Sequence, residues 1–545
     1  MATSTRALAL TTAAALAACG GGGGSASSAP PPVVITPTPL PDVDVSAVAA
    51  ADPGSTLPAN WKQGAFMEIF VRSYQDSNGN GSGDIPGLIS RLDYLKDLGI
   101  TGIWLMPITQ SQDGDHGYAV SDYRNVQSDY GTLADFDELL RQAHAHGIGV
   151  IIDYVMNHSA AQNPLFINST AASANPYRNW YVWQATAPTG WSIFGGNPWR
   201  SVATGFYYAP FDISMPDWNL FNADVVAYHQ NNLRFWLNRG VDGFRFDAVG
   251  NLFENGPTAW LDQPQNYTLM HNMQALLAGY SNRYMVCEAP DDPQGFGAGT
   301  ACGAAFAFDL KDKILSAARG DATSVQQVAD YYKTAPPGMA AFLSNHDSFA
   351  GTRVWTQLNG NVAQYKLAAA TYLLLPGVPF VLYGEEVGMA AGNSANVDVA
   401  IRAPMSWAAN TGNAGFTSGT PYRGLSANVA TQNATAAAAD PESLLNFYRA
   451  LLQLRKSMPA LSQGDYSQVV VSGQLLQFRR SYAGTTALAV INYANSAAAA
   501  TLNLGVSHGV HPLYPSGGTD ATADSSGQLS LNIPAQTVRV FQITP

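Results

Sequence analysis

Cysteine is scarce, with three residues in 545. One lies in the N-terminal segment, which leaves only Cys287 and Cys302 in the body of the chain. An exported chain could pair them, although Cys287 sits in an apolar run where a free packed thiol fits equally well. Two cysteines without a histidine cluster beside them argue against a zinc site. Charge is sparse as well, at 12% of residues, and the 27 basic side chains form no block. With a net charge of −12, the chain lacks the concentrated positive charge that nucleic acid demands. Beyond the N-terminus no apolar run reaches the roughly 20 residues of a membrane-spanning helix. What is abundant is core-forming mass: 46% apolar and 11% aromatic residues, including 11 Trp and 25 Tyr. Such a surface suits neutral polar ligands, though solubility explains the acidity equally well and many aromatics are simply core.

The N-terminus reads as a processing segment. Arg6 gives a thin basic region, ALALTTAAALAA an apolar one, and Leu16-Ala17-Ala18-Cys19 resembles a bacterial lipobox. Residues 1–19 are therefore expected to be a lipoprotein-type signal and 20–60 a Gly/Pro-rich tether. The protein would be exported to the cell envelope and would touch a membrane only through a lipid at Cys19. An ordinary secretory signal is the alternative.

After the tether, apolar strands alternate with amphipathic helices, the signature of an α/β fold. Strands are expected at Phe66 to Val71, from Gly102 (GIWLMPI), from Gly149 (GVIIDYV), before Asp247, before Glu288, at Phe306 to Leu310, before Asp347, and at Val378 to Tyr383. This predicts a (β/α)8 barrel over 61–157 and 223–461. Residues 158–222 break the rhythm and are read as a subdomain inserted after the third strand. Residues 462–545 switch to short alternating strands, which predicts a C-terminal antiparallel β-sandwich.

Three of the strands end in acids. Asp247 closes GVDGFRFD, Glu288 closes RYMVCE, and Asp347 closes MAAFLSNHD. In such a barrel the C-terminal strand ends converge on the face where active sites lie. Acids gathered there repel one another, an arrangement costly for stability and useful for proton chemistry. This points to glycoside cleavage.

The motifs resemble those of the α-amylase-type glycoside hydrolases of family 13, and they occur in that family's order. Asp153-Tyr154-Val155-Met156-Asn157-His158, Met215-Pro216-Asp217-Trp218-Asn219, Gly243-Phe244-Arg245-Phe246-Asp247, Val286-Cys287-Glu288 and Phe342 to Asp347 carry the likeness, with His116-Gly117-Tyr118 and Tyr383-Gly384-Glu385-Glu386. The resemblance implies that Asp247 is the nucleophile of a covalent glycosyl-enzyme. Glu288 would be its acid/base, and Asp347 would hold the distorted sugar. Arg245 would keep Asp247 ionised. His158 and His346 would hydrogen-bond the same sugar, and Tyr118 would stack on it. In exo-acting relatives, residues matching Asp115 and Arg402 hold the terminal glucose; a structural salt bridge beside an open cleft is the alternative.

Asp76-Ser77-Asn78-Gly79-Asn80-Gly81-Ser82-Gly83-Asp84 places oxygen-bearing side chains at alternate positions, as hard-cation loops do. A corresponding loop binds calcium in some relatives. Ca2+, or Mg2+, is expected on Asp76, Asn78, Asn80, Asp84 and the Ser82 carbonyl, although Gly87 stands where an EF-hand carries its bidentate Glu. A solvated Asn-Gly turn is the bland alternative. Gly250 and Asn251 replace the Lys and His that many α-amylases carry after the nucleophile, which puts a second calcium in doubt and leaves Asn157 only a tentative ligand. Ala248, where α-1,6-specific relatives carry Val, leans toward α-1,4 bonds.

The first expectation is thus a monomeric, endo-acting α-amylase on starch or maltodextrins. An exo-acting α-glucosidase or a transglycosylase is the alternative, and a non-catalytic glycan-binding barrel the last.

Overall fold

The computed structural model describes residues 39–545. Cys19 and the expected signal lie outside the described residues. Residues 41–60, read as the end of the tether, carry no helix or strand but are not free chain. Val48 N and Ala51 N donate to the Asn231 and Asn238 side chains (3.0 and 2.9 Å), and Ser281 N donates to Asp52 (2.9 Å). The segment is a strap along the outer helices.

Seven parallel strands form the barrel: β1 Phe66–Ile69, β2 Gly102–Leu105, β3 Gly149–Tyr154, β4 Gly243–Phe246, β5 Tyr284–Cys287, β6 Ala340–Ala341 and β7 Val378–Leu382. Their order is β5-β4-β3-β2-β1-β7-β6. Two isolated parallel bridges, Cys287 to Ala305 and Phe306 to Ala340, join the sheet's ends. The strand expected at Phe306 to Leu310 is thus reduced to Ala305 and Phe306, and from Phe308 the chain is already helical. Asp309, Lys311 and Asp312 supply the polar face that a strand buried on both sides cannot have. The strand expected to run up to Asp347 also stops early, at Ala341, so Asp347 stands in the loop beyond it.

The barrel interior is filled by aromatic rings. Phe66 stacks on Phe380 (4.7 Å), which meets Phe306 (5.0 Å), which in turn meets Trp104 (5.2 Å). Glycine at the first position of β2 and β3 makes room for them. A Cβ on Gly102 would lie 2.4 Å from the Phe66 ring, and one on Gly149 2.3 Å from Trp61. The plug closes the lower end of the barrel, which leaves the opposite mouth for chemistry.

The insertion folds into a helix, Pro164–Ala171, and a three-stranded antiparallel sheet of Trp183–Gln184, Trp199–Val202 and Gly205–Tyr208. It closes on itself where His158 bridges Asp217 and Trp218 N donates to Asn157 O (3.0 Å). Two motifs far apart in sequence therefore sit side by side. The C-terminal region pairs a six-stranded antiparallel sheet with a two-stranded one. Leu475, Leu488, Val490, Leu502, Ile533 and Phe541 pack between them, the layered core of a sandwich. Among the described residues no helix is long and apolar enough to cross a membrane.

The Cys287 and Cys302 sulfurs are bonded, with their Cα atoms 6.2 Å apart. The bond ties the end of β5 to the loop before Ala305, one residue ahead of Glu288.

Candidate active site

The β4 alternation turns Phe244 and Phe246 outward and Arg245 into the barrel, where the guanidinium is 1% exposed. Three acids converge on it. Nη1 donates to Asp153 Oδ1 (2.8 Å) and to Asp247 Oδ1 (2.7 Å), and Nη2 pairs with Glu288 Oε2 (2.8 Å). Asp153 comes from β3; Asp247 and Glu288 follow directly on β4 and β5. Glu288 Oε2 also accepts the Ala248 N–H (3.0 Å). Ala248 presents that N–H from a left-handed conformation, φ 45°, which a β-branched residue adopts poorly.

Burial of three carboxyls around one cation leaves surplus negative charge, and their proton affinities rise. Burial lifts Glu288 to about 7, against Arg245 and with help from Asp247 and Asp347. It lifts Asp247 and Asp153 to about 6, again opposed by Arg245. Asp247 therefore ionises before Glu288, the order that a nucleophile and a proton donor require.

A second network behaves oppositely. His346 Nδ1 meets Glu68 Oε1 (2.5 Å), and its Nε2 meets Asp347 Oδ2 (3.0 Å) and the Tyr118 hydroxyl (2.7 Å). Arg402 pairs with Asp347 Oδ1 (2.7 Å) and donates to the His346 carbonyl (2.9 Å). Burial disfavours a charged His346, but Asp347 and Glu68 outweigh it and raise the ring to about 10. Burial likewise acts against an ionised Asp347, yet His346 and Arg402 hold its carboxyl below the usual range.

These groups surround a cavity of about 530 Å3 lined by Asp115, Tyr118, His158, Asp247, Glu288, Asp347 and Arg402, among others. All three expected catalytic acids are brought together there. Tyr118 lies at the wall with its hydroxyl bonded to Asp153 (2.9 Å). His158 faces the cavity with a buried, unpartnered Nε2. Burial lowers its ring to about 4, so the imidazole is neutral and has a polar nitrogen available to a sugar hydroxyl. His346 is fully buried and does not line the cavity; in this structure its ring acts on Asp347. Asp115 and Arg402 both line the cavity but do not pair with each other. Asp115 is bound by Arg423, and Arg402 by Asp347.

Sequence reasoning passed over Glu68, Arg423 and the role of Asp153. Glu68 had a signal, a lone acid inside the apolar run FMEIFV. Arg423 lies in a Gly/Ala/Asn-rich loop and had none.

The loop Asp76 to Asp84 is held by its own amides. Asp76 Oδ1 accepts from Asn78 N and Gly79 N (2.9 Å each), and Asn78 Oδ1 accepts from Asn80 N (3.0 Å). Asn80 Oδ1 accepts from Ser82 N (2.8 Å), and Asp84 caps the following helix through Gly87 N (2.7 Å). Among the described residues no group of three or more His, Cys, Asp or Glu is placed to hold a metal. The loop's oxygens are two carboxylates, two amides and a carbonyl, a donor set that suits a hard cation in kind.

The profile of the family described as "Alpha amylase, catalytic domain" matches residues 68–464. The chain belongs to this family. It is 34% identical over 427 residues to Alpha-amylase 3 of Dictyoglomus thermophilum, covering 75% of this chain and 80% of that protein. It is 29% identical to an oligo-1,6-glucosidase of Parageobacillus thermoglucosidasius, over 75% of this chain and 86% of the other. The crystal structure of a trehalulose synthase from Pseudomonas mesoacidophila MX-45 superposes with a TM-score of 0.76 at 27% identity, covering 89% of this chain and 99% of the other. Membership makes this chain a glycoside hydrolase by family and gives the acid cluster its chemical context.

The ordering of the two acids predicts a bell-shaped pH dependence of kcat/KM. Activity is lost below about 6 as Asp247 takes a proton, and above about 7 as Glu288 loses one. Replacing Glu288 by Gln should lower starch or maltodextrin turnover by about 10²–10⁴ and remove the alkaline limb. Steady-state kinetics across pH on both proteins checks this; an unchanged rate in Glu288→Gln would sink the assignment.

Proposed function

We propose that the protein is a retaining, exo-acting α-glucosidase of short α-glucans that also transfers glucosyl units. Asp247 attacks the anomeric carbon and forms a glycosyl-enzyme while Glu288 protonates the departing oxygen. Glu288 then takes a proton from water, or from a sugar hydroxyl, as that oxygen attacks the same carbon. Binding to one planar guanidinium keeps the two carboxyls side by side, as a retaining pair about 5–5.5 Å apart requires. Asp347, held ionised by His346 and Arg402, accepts hydrogen bonds from the hydroxyls of the distorted sugar.

The observation that carries the exo reading is the charged wall of the cavity. Asp115 with Arg423, and Arg402 with Asp347, place fixed charges where a continuing glucan chain would need an open, ring-sized groove. A terminal glucose can satisfy such charges with its hydroxyls; a further glucosyl unit cannot pass them. The endo-acting α-amylase expected first from the sequence gives way to this reading. Likeness to an oligo-1,6-glucosidase and a trehalulose synthase supports the same direction, and competition between water and sugar for one intermediate accounts for transfer. Ala248 still leans toward α-1,4 bonds.

A product time course decides between the readings. On reducing-end-labelled maltotetraose we expect glucose from the first turnovers, with labelled maltotriose as its partner, and growing transfer products at high substrate. An early spread of mixed oligomers from amylose, or ready cleavage of cyclodextrin, would return the protein to the endo class.

We also propose that the Asp76 to Asp84 loop holds Ca2+, or Mg2+, through Asp76, Asn78, Asn80, Asp84 and the Ser82 carbonyl. Asn78 now donates its amide N–H to Asp84 Oδ2 (3.1 Å), and turning that amide over would present its oxygen instead. The ion would brace the first β–α loop and take no part in bond cleavage. Chelator should lower the melting temperature by a few degrees and calcium should restore it; melting indifferent to chelator, together with no heat of calcium binding, rules the site out.

A further inference from the structure

Phe194 stands out on two independent grounds. The residue is 62% exposed, and its backbone is unfavourable for a bulky side chain. Ile193 and Gly196 pair through both backbone hydrogen bonds (2.8 and 2.9 Å), so Phe194 and Gly195 are the central residues of a two-residue turn. Both have positive φ, 49° and 80°. Turns of this kind favour Asn, Asp or Gly at the first position, and a large residue there is strained. Backbone strain spent on holding an apolar ring in water calls for a ligand.

The ring's neighbours indicate which ligand. Phe194 lies 5.3 Å from Phe211 and 5.6 Å from Trp260, centroid to centroid. Phe211 is 40% exposed, forms part of the cavity wall and packs 5.3 Å from His158. Three rings thus run outward from the reacting centre as a stepped shelf, Phe194 tilted 44° to Phe211 and standing nearly edge-on, at 80°, to Trp260. Phe194 and Phe211 belong to the inserted subdomain, and Trp260 to the loop that leaves Asp247. None of them shares an element with the charged wall of Asp115 and Arg402. Solvent-facing aromatic rings bind the apolar faces of sugar rings and tolerate water at their edges.

We propose that Phe194, Phe211 and Trp260 form the binding site for the glucosyl units beyond the cleaved bond, and for the acceptor sugar in transfer. The site rests on the reading of the charged wall as the terminal-glucose end. The rings on the shelf belong to the departing chain before cleavage. After it, an acceptor held there presents its hydroxyl to the glycosyl-enzyme, so shelf affinity sets the share of transfer against hydrolysis.

Calorimetric titration tests this on Glu288→Gln, whose turnover is too slow to deplete the ligand during a titration, and on the same protein carrying Phe194→Gly and Trp260→Ala. Glycine suits the positive φ of the turn, and melting of both proteins by circular dichroism checks that each is folded. Maltotetraose should bind about tenfold more weakly to the second protein, the change that loss of ~1.4 kcal/mol of stacking gives. A glucose-shaped iminosugar, which fills only the terminal site, should bind both equally. Unchanged maltotetraose affinity overturns the shelf, as does equal weakening of both ligands. Failure of the iminosugar to bind either protein overturns the terminal-site reading instead, while the maltotetraose comparison still decides the shelf.

Discussion

The guanidinium of Arg245 is buried against Asp153, Asp247 and Glu288, and the barrel mouth is arranged around that charge. Removing an ion from water costs several kcal/mol unless partners replace its hydration. Here the partners outnumber it. One cation among three acids leaves a negative surplus, and the surplus is relieved by a proton. Glu288, the acid with the highest affinity, is where that proton resides near neutrality. On the proposed roles, the contact that orients the nucleophile also keeps the acid/base loaded.

The neighbouring chain of Glu68, His346, Asp347 and Arg402 contains two acids and two cations. His346 and Arg402 both face Asp347, so Asp347 stays ionised. Two neighbouring networks thus perform opposite tasks, and the difference is the ratio of acidic to basic groups: three to one around Arg245, two to two around Asp347. Tyr118 joins them, with its hydroxyl on both Asp153 and His346. A change in either network is transmitted to the other through that hydroxyl and through the field of Asp347 on Glu288.

Much of this was legible in the sequence. Strands buried on both faces read as apolar runs, so the acids at their ends stood out, and motif order placed Arg245 beside Asp247. The stretch 158–222 stood apart from its surroundings by composition. Where the reading failed, pairing between distant segments decided the outcome. Phe306 to Leu310 has the apolar content of a strand, but only Ala305 and Phe306 find neighbours across the barrel gap. The stretch 41–60 has a tether's composition, yet Asn231, Asn238 and Ser281 bind it. Asp115 and Arg402 were matched as a pair because both belong to recognisable motifs. Arg423, from a loop without a motif, takes Asp115 and leaves Arg402 to Asp347.

The central claim is covalent: Asp247, oriented by Arg245, is the atom donor to the glycosyl bond. Incubation with 2-deoxy-2-fluoro-α-glucosyl fluoride, followed by proteolysis and mass spectrometry, tests it most directly. The account predicts one fluoroglucosyl adduct per chain, on the peptide carrying Asp247, released slowly on adding maltose. An adduct on Glu288 or Asp347, or product of inverted anomeric configuration with no adduct at all, would contradict it.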